Sequence, residues 1–431
     1  MKKLIRLRSN KFLRGSAILI SGTVIAQMLQ ITFTPILTRV YSPEAFGLYT
    51  LFISLFSILN ATTSLKYELA LPLTNEENKN LLLKVNIILG FLISLIIGGL
   101  LFIFDLFNLY SFIEGIENLQ EIWYYIPVSL FAFCIFTNTN YYLIKNKSYK
   151  TIASINVLNS LFKVSSQISI GVISSLGLIM GDVISKVIIM FLALLLVIRK
   201  PLWIRNLSKS SVKNLLKTYI KFPLYTLPAS LLNSISTHIT PMLIIIAFGP
   251  VVGGFYALTH RVLAIPIAFV GTSISQVYLS KAPELYKTNR KALKDLYLKV
   301  AKSLLLFSIP IVIIAYFGSD IFSFVFGPQW SEAGKYLKAL IYLYVAQVVV
   351  VPLSQTLNII EKNEIQLFWD LIRLSTTLFI FLGVANYLDL NPIEALEIYS
   401  IAMFALYVVL FFTTLQILKN LVKKDEAHEN S

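Results

Sequence analysis

Apolar runs about as long as a membrane span recur along the whole chain. Crossing the hydrocarbon core of a bilayer takes about 20 helical residues, and only short polar breaks separate runs of this length. Apolar residues make up 56% of the 431 residues and charged residues 14%, whereas a soluble domain usually carries about 25% charged residues. The alternation over about ten residues that is typical of membrane β-strands is not seen. The sequence therefore predicts an all-α integral membrane protein.

The distribution of basic residues predicts the orientation of this protein. Lys and Arg number 29 in one alternating set of connections, the two termini included, and 2 in the other set, Arg39 and Lys335. This asymmetry follows the positive-inside rule and places both termini in the cytoplasm. The net charge of +15 is thereby explained, and we expect no nucleic-acid partner. The predicted transmembrane helices are twelve, at 15–38, 45–65, 85–104, 122–144, 151–173, 177–198, 223–248, 253–279, 300–318, 336–360, 365–387 and 394–418.

The two halves of the chain repeat one another. The stretch "TPILTRVYSPEAFGLY" (34–49) aligns with "TPMLIIIAFGPVVGGFY" (240–256), and "KNLLLKV" (79–85) aligns with "KDLYLKV" (294–300). An even number of helices in each half keeps both copies in the same orientation, so the repeats are parallel. The linker is predicted to be amphipathic, either on the membrane surface or as a solvated tether. The predicted organisation is a six-helix lobe at 1–198, a cytoplasmic linker at 199–222, a second six-helix lobe at 223–418 and a cytoplasmic tail at 419–431.

Two motifs resemble those of a known family. The pattern "RVYSPEAFGLY" (39–49) after a polar first helix, together with "GLIMGDVIS" (177–185), resembles the Wzx-type polysaccharide flippases of the multidrug/oligosaccharidyl-lipid/polysaccharide exporter superfamily. The resemblance implies a carrier in the bacterial cytoplasmic (inner) membrane. Such a carrier moves undecaprenyl-pyrophosphate-linked oligosaccharide for O-antigen or capsule from the inner to the outer leaflet by alternating access. It also implies two lobes around a central, often cationic cavity lined mainly by helices 1, 2, 7 and 8.

The resemblance extends to partners. It implies the lipid-linked oligosaccharide and membrane lipids as partners, together with other polysaccharide assembly proteins. No metal or other cofactor is expected, while coupling to an H⁺ or Na⁺ gradient is left open. Cys134 is the only cysteine, so no intrachain disulfide can form.

Polar side chains form a stripe on each of the predicted helices 1 and 7. Spacings of three, four and seven residues place them on one helical face. Polar groups facing lipid cost free energy unless they are paired, so both stripes should face inward. They predict a hydrated pathway, and the alternative is hydrogen-bonding between helices. The stripes comprise Ser16, Thr23, Gln27, Gln30, Thr34 and Thr38 in helix 1, and Thr226, Ser230, Asn233, Thr237 and Thr240 in helix 7; Gln27, Gln30, Asn233 and Thr237 are the candidate substrate contacts.

Charged residues inside the spans are further candidates, because each is costly in hydrocarbon. Arg261 has no acidic residue within four positions, and neither has Lys163. Arg261 is predicted to hold the pyrophosphate together with Arg39, because the planar guanidinium donates two hydrogen bonds to phosphate oxygens. For Arg39 the alternative is a side chain reaching to the interface. Lys163 is a third phosphate candidate.

Other titratable residues are candidates for gating or ion coupling. Lys66, Glu68 and Lys281 lie at predicted cytoplasmic helix ends, where they form either an inner gate or ordinary interface anchors. His238 is a candidate because histidine titrates near neutrality. Glu68 is also a candidate for a coupling-ion site.

Two pairs of opposite charges occur within single predicted helices. Asp182 and Lys186 are spaced i, i+4, and Asp370 and Arg373 are spaced i, i+3. These spacings let each pair neutralise itself, which favours structural ion pairs. Asp370 remains a second candidate for the coupling carboxylate, with Arg373 beside it.

Other functions fit the sequence less well. A multidrug or small-molecule exporter of the same superfamily is the first alternative, although cationic candidates favour an anionic substrate. A peptidoglycan-precursor flippase is another, but such proteins usually have two additional helices. An enzyme, either a multi-span polysaccharide polymerase or a glycosyltransferase, would need a larger outer loop or a cluster of catalytic residues. No such motif and no metal-ligand spacing is present, so the sequence predicts a protein that is not an enzyme.

Overall fold

The computed structural model describes residues 2–109, 117–198 and 209–429, and these form helices and connecting turns without a β-strand. The α-helices are α1 Lys2–Thr32, α2 Thr34–Val40, α3 Pro43–Asn60, α4 Glu76–Leu106, α5 Tyr125–Lys145, α6 Tyr149–Gly171, α7 Gly177–Ile198, α8 Lys209–Thr218, α9 Leu227–Thr288, α10 Arg290–Tyr316, α11 Gly318–Phe326, α12 Ser331–Ala339, α13 Ile341–Ile359, α14 Asn363–Leu378, α15 Ala385–Tyr387 and α16 Pro392–Glu429. Short 3₁₀ turns occur at Tyr67–Ala70, Glu117–Glu121 and Pro328–Trp330, and π-helical turns at Phe222–Thr226 and Phe379–Val384.

Many of these helices are long and apolar enough to cross a membrane. Within the described ranges there are nine such stretches, at Ala17–Val40, Pro43–Asn60, Glu76–Leu106, Gly177–Val197, Phe222–Leu263, Arg290–Tyr316, Ile341–Ile359, Glu364–Tyr387 and Pro392–Glu426. Phe222–Leu263 has 42 residues, which is about two spans. The chain is a multi-pass helical membrane protein, and the count of twelve spans stays a prediction.

The chain divides into two compact units, Met1–Ile246 and Ala247–Ser431. In the first unit, α6 packs against both α1 and α7, and α5 packs against α4 and α7. In the second unit, α13 packs against α10 and α16, and α11 packs against α12.

The turn before α3 forms as its sequence dictates. The Ser42 hydroxyl accepts a hydrogen bond from the Ala45 amide at 3.3 Å, and Pro43 occupies the first turn, where no amide donor is needed. The hydroxyl of Tyr41 donates to the backbone carbonyl of Gln167, and burial raises the pKa of Tyr41 to about 12. The hydrogen bond from Tyr41 therefore connects this turn to α6. The repeated sequence in the second half breaks α9 at Gly249, where φ is 84°.

The amphipathic helix α8 packs its apolar face on the first unit. Leu215 is buried in an apolar cluster that includes Tyr67 and Leu82, and the Tyr67 hydroxyl donates to the Leu216 carbonyl at 3.2 Å. Burial raises the pKa of Tyr67. Protein, rather than lipid or water, thus covers Leu215, while Lys213 and Lys217 on the opposite face are exposed. Residues 199–208 of the predicted linker lie outside the described part of the chain.

The close approach of α11 and α12 gives a first testable prediction. A Cβ atom at Gly334 would overlap the backbone of Gly318 and Ser319, which cannot move aside as a side chain can. We expect Gly334→Ala to destabilise the protein by about 1–3 kcal/mol through overpacking, which would be measured as a lower melting temperature in detergent. Gly99→Ala in α4 is the matched control, because nothing lies within 4 Å of its Cβ position. Equal melting temperatures for the two variants would contradict the close contact.

Candidate functional site

Three charged side chains form one buried cluster in the first unit. The Asp182 carboxylate of α7 accepts from Lys163 of α6 at 2.9 Å and from Lys186 of α7 through its other oxygen. The exposed fractions of the three side chains are 4% for Asp182, 8% for Lys186 and 18% for Lys163. We call this cluster the Lys–Asp–Lys triad. Its formal charge is +1, since two ammonium groups share one carboxylate.

Aromatic rings of α3 complete the surroundings of the triad. The Lys186 ammonium lies 4.1 Å from the ring centre of Phe56 and 5.4 Å from that of Phe52, while the Lys163 ammonium lies 5.5 Å from the ring of Tyr49. Cations are attracted to such ring faces. The triad therefore connects α6 and α7 through ion pairs and meets α3 through aromatic contacts.

The triad continues a polar face of α6. Ser160 and Gln167 lie three positions before and four positions after Lys163, so all three share one side of the helix. The Gln167 side chain is buried and donates to the Leu178 carbonyl of α7 at 2.8 Å. The Ser160 hydroxyl accepts from Gln30 Nε2 of α1 at 3.0 Å. The polar side of α6 thus reaches from α7 to the polar stripe of α1.

The stripe of α1 contains both paired and exposed residues. Gln30 bonds Ser160 between helices, as the alternative explanation of the stripe expects. Thr34 and Thr38 are buried, and each donates to the backbone of its own segment at 2.8 and 3.1 Å. Gln27 and Thr23 are exposed. Among the described side chains of this stripe, Gln27 is the one that can contact a ligand without first breaking such a hydrogen bond. The side chain of Ser16 lies outside the described residues.

The stripe at the start of α9 has a similar composition. Asn233 and Thr237 are exposed, and Thr237 donates to the Asn233 carbonyl at 2.9 Å. The neighbouring Ser234 donates to the Ser57 carbonyl of α3 at 2.9 Å, and Thr240 is buried. His238 is half-buried. The exposed polar residues Asn233 and Thr237 therefore stay candidates for substrate contact.

The gate candidates Lys66 and Glu68 lie in a tightly folded turn of the first unit. Glu68 is buried and accepts from the Ser64 hydroxyl, and the Lys66 ammonium lies 3.9 Å from Glu68 Oε1. Leu65 and Lys66 have left-handed backbone angles, with φ of 49° and 63°. Such angles are unfavourable for these residues and persist only where surrounding contacts hold them. Lys281 is exposed in the second unit.

The two arginine candidates differ in burial. Arg39 is exposed in the last turn of α2, and Arg261 is half-buried in α9 after the break at Gly249. Arg261 follows His260, whose ring centre lies 6.0 Å from that of Tyr256 and 6.3 Å from that of Tyr344. A half-buried guanidinium on a spanning helix is the kind of group that binds an anion strongly, since little water competes with it.

The predicted pair in α14 forms. Arg373 Nη2 lies 3.4 Å from Asp370 Oδ1, Gln366 Nε2 donates to the other carboxylate oxygen at 3.4 Å, and the guanidinium lies 5.1 Å from the Trp369 ring. Asp370 is therefore already neutralised by its own helix. The pair of Asp182 and Lys186 also forms as its spacing predicts.

Sequence reasoning missed the partner of Lys163. Asp182 lies 19 positions further along the chain, so no helical spacing connects the two residues. The available signal was that α6 and α7 are consecutive helices and that each carries charged residues in a largely apolar sequence. Within the described ranges no group of three or more His, Cys, Asp or Glu residues could hold a metal ion.

Solved structures share the fold of this chain at low sequence identity. A multidrug resistance MATE family transporter of the MOP superfamily in an inward-facing conformation has a TM-score of 0.68 and 16% identity, covering 94% of this chain and 99% of that chain. The lipid II flippase MurJ in an inward closed conformation has a TM-score of 0.68 and 14% identity, covering 95% and 90%. A MOP superfamily transporter from Pyrococcus furiosus has a TM-score of 0.52 and 17% identity, covering 95% and 97%. The chain thus has the fold of a membrane transporter.

Comparison of sequences identifies the family. A search of the curated proteins found no match. A profile of the family described as polysaccharide biosynthesis protein matches residues 36–335, which is more than half of the chain. The chain therefore belongs to the polysaccharide biosynthesis protein family, and this confirms the resemblance that its turn motifs indicated.

Proposed function

We propose that this protein is a flippase for lipid-linked oligosaccharide. Its substrate is an undecaprenyl-pyrophosphate-linked oligosaccharide, which it moves from the inner to the outer leaflet of the bacterial cytoplasmic membrane for surface polysaccharides such as O-antigen or capsule. The observation that supports this most is the family match over residues 36–335 in a chain with a transporter fold. A role in polysaccharide biosynthesis and a transporter fold together favour a lipid-linked sugar as the cargo, and catalysis is not part of the proposal.

The proposed architecture has twelve spans in two parallel six-helix lobes, at 1–198 and 223–418. The linker 199–222 lies between the lobes in sequence, and the tail 419–431 follows the second lobe. Both termini are cytoplasmic. The internal repeat and the uneven distribution of Lys and Arg support this arrangement. The length of Phe222–Leu263, at 42 residues, supports two crossings there rather than one.

The proposed substrate contacts serve the two chemical parts of the cargo. Arg261, Arg39 and Lys163 bind the pyrophosphate, since it carries the negative charge and cationic side chains donate strong hydrogen bonds to phosphate oxygens. Gln27, Asn233 and Thr237 bind sugar hydroxyls, since their exposed side chains both donate and accept hydrogen bonds. Gln30 supports the pathway by fixing α1 to α6. The proposed gate or coupling residues are Glu68, Lys66, Lys281, His238, Asp370 and Arg373, and the proposed coupling is to a gradient of H⁺ or Na⁺.

A multidrug or small-molecule exporter is the second candidate function. The MATE family transporter has the same TM-score, 0.68, as the lipid II flippase, so the fold alone does not choose between them. The charges of the candidate site support the flippase, because a drug cation is repelled by Arg and Lys.

Deletion of the gene tests the proposed function. We expect undecaprenyl-pyrophosphate oligosaccharide to accumulate facing the cytoplasm and surface polysaccharide to be lost, as measured by lipid extraction and by labelling of leaflet-exposed sugars. If the lipid-linked oligosaccharides cross the membrane normally but stay unpolymerised in the deletion strain, the protein is a polymerase instead. Unchanged lipid and polymer together with greater drug sensitivity would show an exporter of small molecules.

Substitution of Arg261 tests the proposed phosphate contact. We expect Arg261→Gln to reduce complementation of the deletion strain by about tenfold or more, because a hydrogen bond to a charged group is lost. Arg261→Lys keeps the charge but not the two-pronged geometry and should restore part of the activity. Arg290→Gln is the matched control, since Arg290 pairs at 2.6 Å with Asp425 outside the proposed site. Normal export by both Arg261 variants would remove Arg261 from the site.

A further inference from the structure

We propose that the Lys–Asp–Lys triad is an exchange site for the pyrophosphate of the substrate. In this proposal Lys163 leaves Asp182 to bind a phosphate oxygen, while Lys186 stays and keeps Asp182 neutralised. When the substrate departs, Lys163 returns to Asp182. The proposal rests on the proposed function and assigns roles to Asp182 and Lys186, which act by positioning and releasing Lys163.

The charge balance of the triad supports an exchange. A purely structural ion pair needs one cation for one carboxylate, and removing one member of a buried pair leaves an uncompensated charge. Here Asp182 binds Lys163 at 2.9 Å and has Lys186 on its other oxygen. The departure of Lys163 therefore leaves a neutral pair behind, whereas the resting triad has a formal charge of +1. An incoming anion is the natural partner for that excess charge.

The surroundings of the two lysines show which one can move. Lys186 is 8% exposed and its ammonium lies against the rings of Phe52 and Phe56, so a phosphate reaching it would have to displace apolar groups. Lys163 lies 5.5 Å from the ring centre of Tyr49, but it is 18% exposed and has a flexible stem of four carbons. Lys163 is thus the lysine that is available for exchange.

The position of Lys163 relates it to the polar stripe of α1. Lys163 lies one helical turn beyond Ser160, which bonds Gln30 in that stripe at 3.0 Å. The two helices run parallel, because Gly22 lies against Ala153 and Gln30 against Ser160. The exposed Gln27 therefore lies on the other side of the Gln30–Ser160 bond, about 9 Å from Lys163 along the helices at about 1.5 Å per residue. Lys163 thus reaches a phosphate beside Gln27 only by extending away from Asp182.

Substitution of Lys186 distinguishes an exchange site from a cluster that only stabilises the fold. Lys186→Met removes the excess charge and leaves a neutral pair of Lys163 and Asp182, so the folded protein should be at least as stable in thermal unfolding. The exchange proposal nevertheless predicts about tenfold weaker binding of undecaprenyl pyrophosphate, because Lys163 can bind it only by leaving Asp182 unpaired. Lys217→Met on the exposed face of α8 is the matched control. Binding would be measured on the purified full-length protein by native mass spectrometry, with undecaprenol as the phosphate-free probe.

A double variant tests whether the loss of binding in Lys186→Met can be reversed. Adding Asp182→Asn to Lys186→Met removes the competing carboxylate and returns the formal charge of the cluster from zero to +1, as in the wild type. We expect this double variant to bind undecaprenyl pyrophosphate at least as tightly as the wild type, yet to complement the deletion strain poorly, because Lys163 has no partner to return to. Lys163→Gln should bind weakly with or without the other two substitutions.

The outcomes distinguish the two proposals. If the wild type binds undecaprenyl pyrophosphate no better than undecaprenol, the pyrophosphate-linked cargo is wrong, and the exchange falls with it. If the wild type prefers the pyrophosphate but Lys186→Met binds it equally well, the exchange alone is wrong and the triad is structural. Weakened binding in Lys186→Met that the added Asp182→Asn restores supports the exchange.

Discussion

A charged side chain inside a membrane protein needs a partner, and in the first unit this requirement is met by Asp182. Its carboxylate is shared by Lys163 from α6 and Lys186 from α7. Isolated, any one of these groups would be unfavourable when buried among apolar side chains. Together they bring two helices and the aromatic face of α3 into a fixed arrangement. The polar side of α6, with its bonds to α1 and α7, extends from this point.

The polar stripes show that a single pattern can serve two purposes. Gln30 bonds across to Ser160 and holds α1 against α6, whereas Gln27, one turn away, is exposed. The hydroxyls of Thr34 and Thr237 donate to carbonyls one turn earlier in their own segments, which satisfies them without a neighbour. Interhelical bonding and a hydrated pathway are therefore compatible explanations that apply to different residues of one stripe.

The positions of the helices follow well from the sequence, because they depend on local patterns. Helix α7 spans Gly177–Ile198, as the apolar run between Gly177 and the basic pair after it predicts. The break of α9 at Gly249 also lies where the repeated turn motif requires it. Helix α1 begins at Lys2 rather than at residue 15, since an apolar run defines a span but not the end of a helix.

Contacts between helices could be predicted only where sequence spacing defines them. The i, i+4 pair of Asp182 and Lys186 was evident for that reason, whereas Lys163 joins them from another helix. Likewise, amphipathicity identified α8 as having an apolar face but could not show that Tyr67 and the buried Leu215 meet there. Which surface covers an apolar face depends on the packing of the whole unit.

The ion pair between α6 and α7 has a consequence for how the protein enters the membrane during synthesis. Helix α6 is too polar to be among the nine stretches that could span on their own composition, and a lone lysine near the centre of a span costs about 2.5–3.5 kcal/mol on insertion. The strongly apolar α7, which carries Asp182, follows after only residues 172–176. Helix α7 supplies both the hydrophobicity and the counter-charge that its predecessor lacks, so we expect the two helices to insert together as a hairpin.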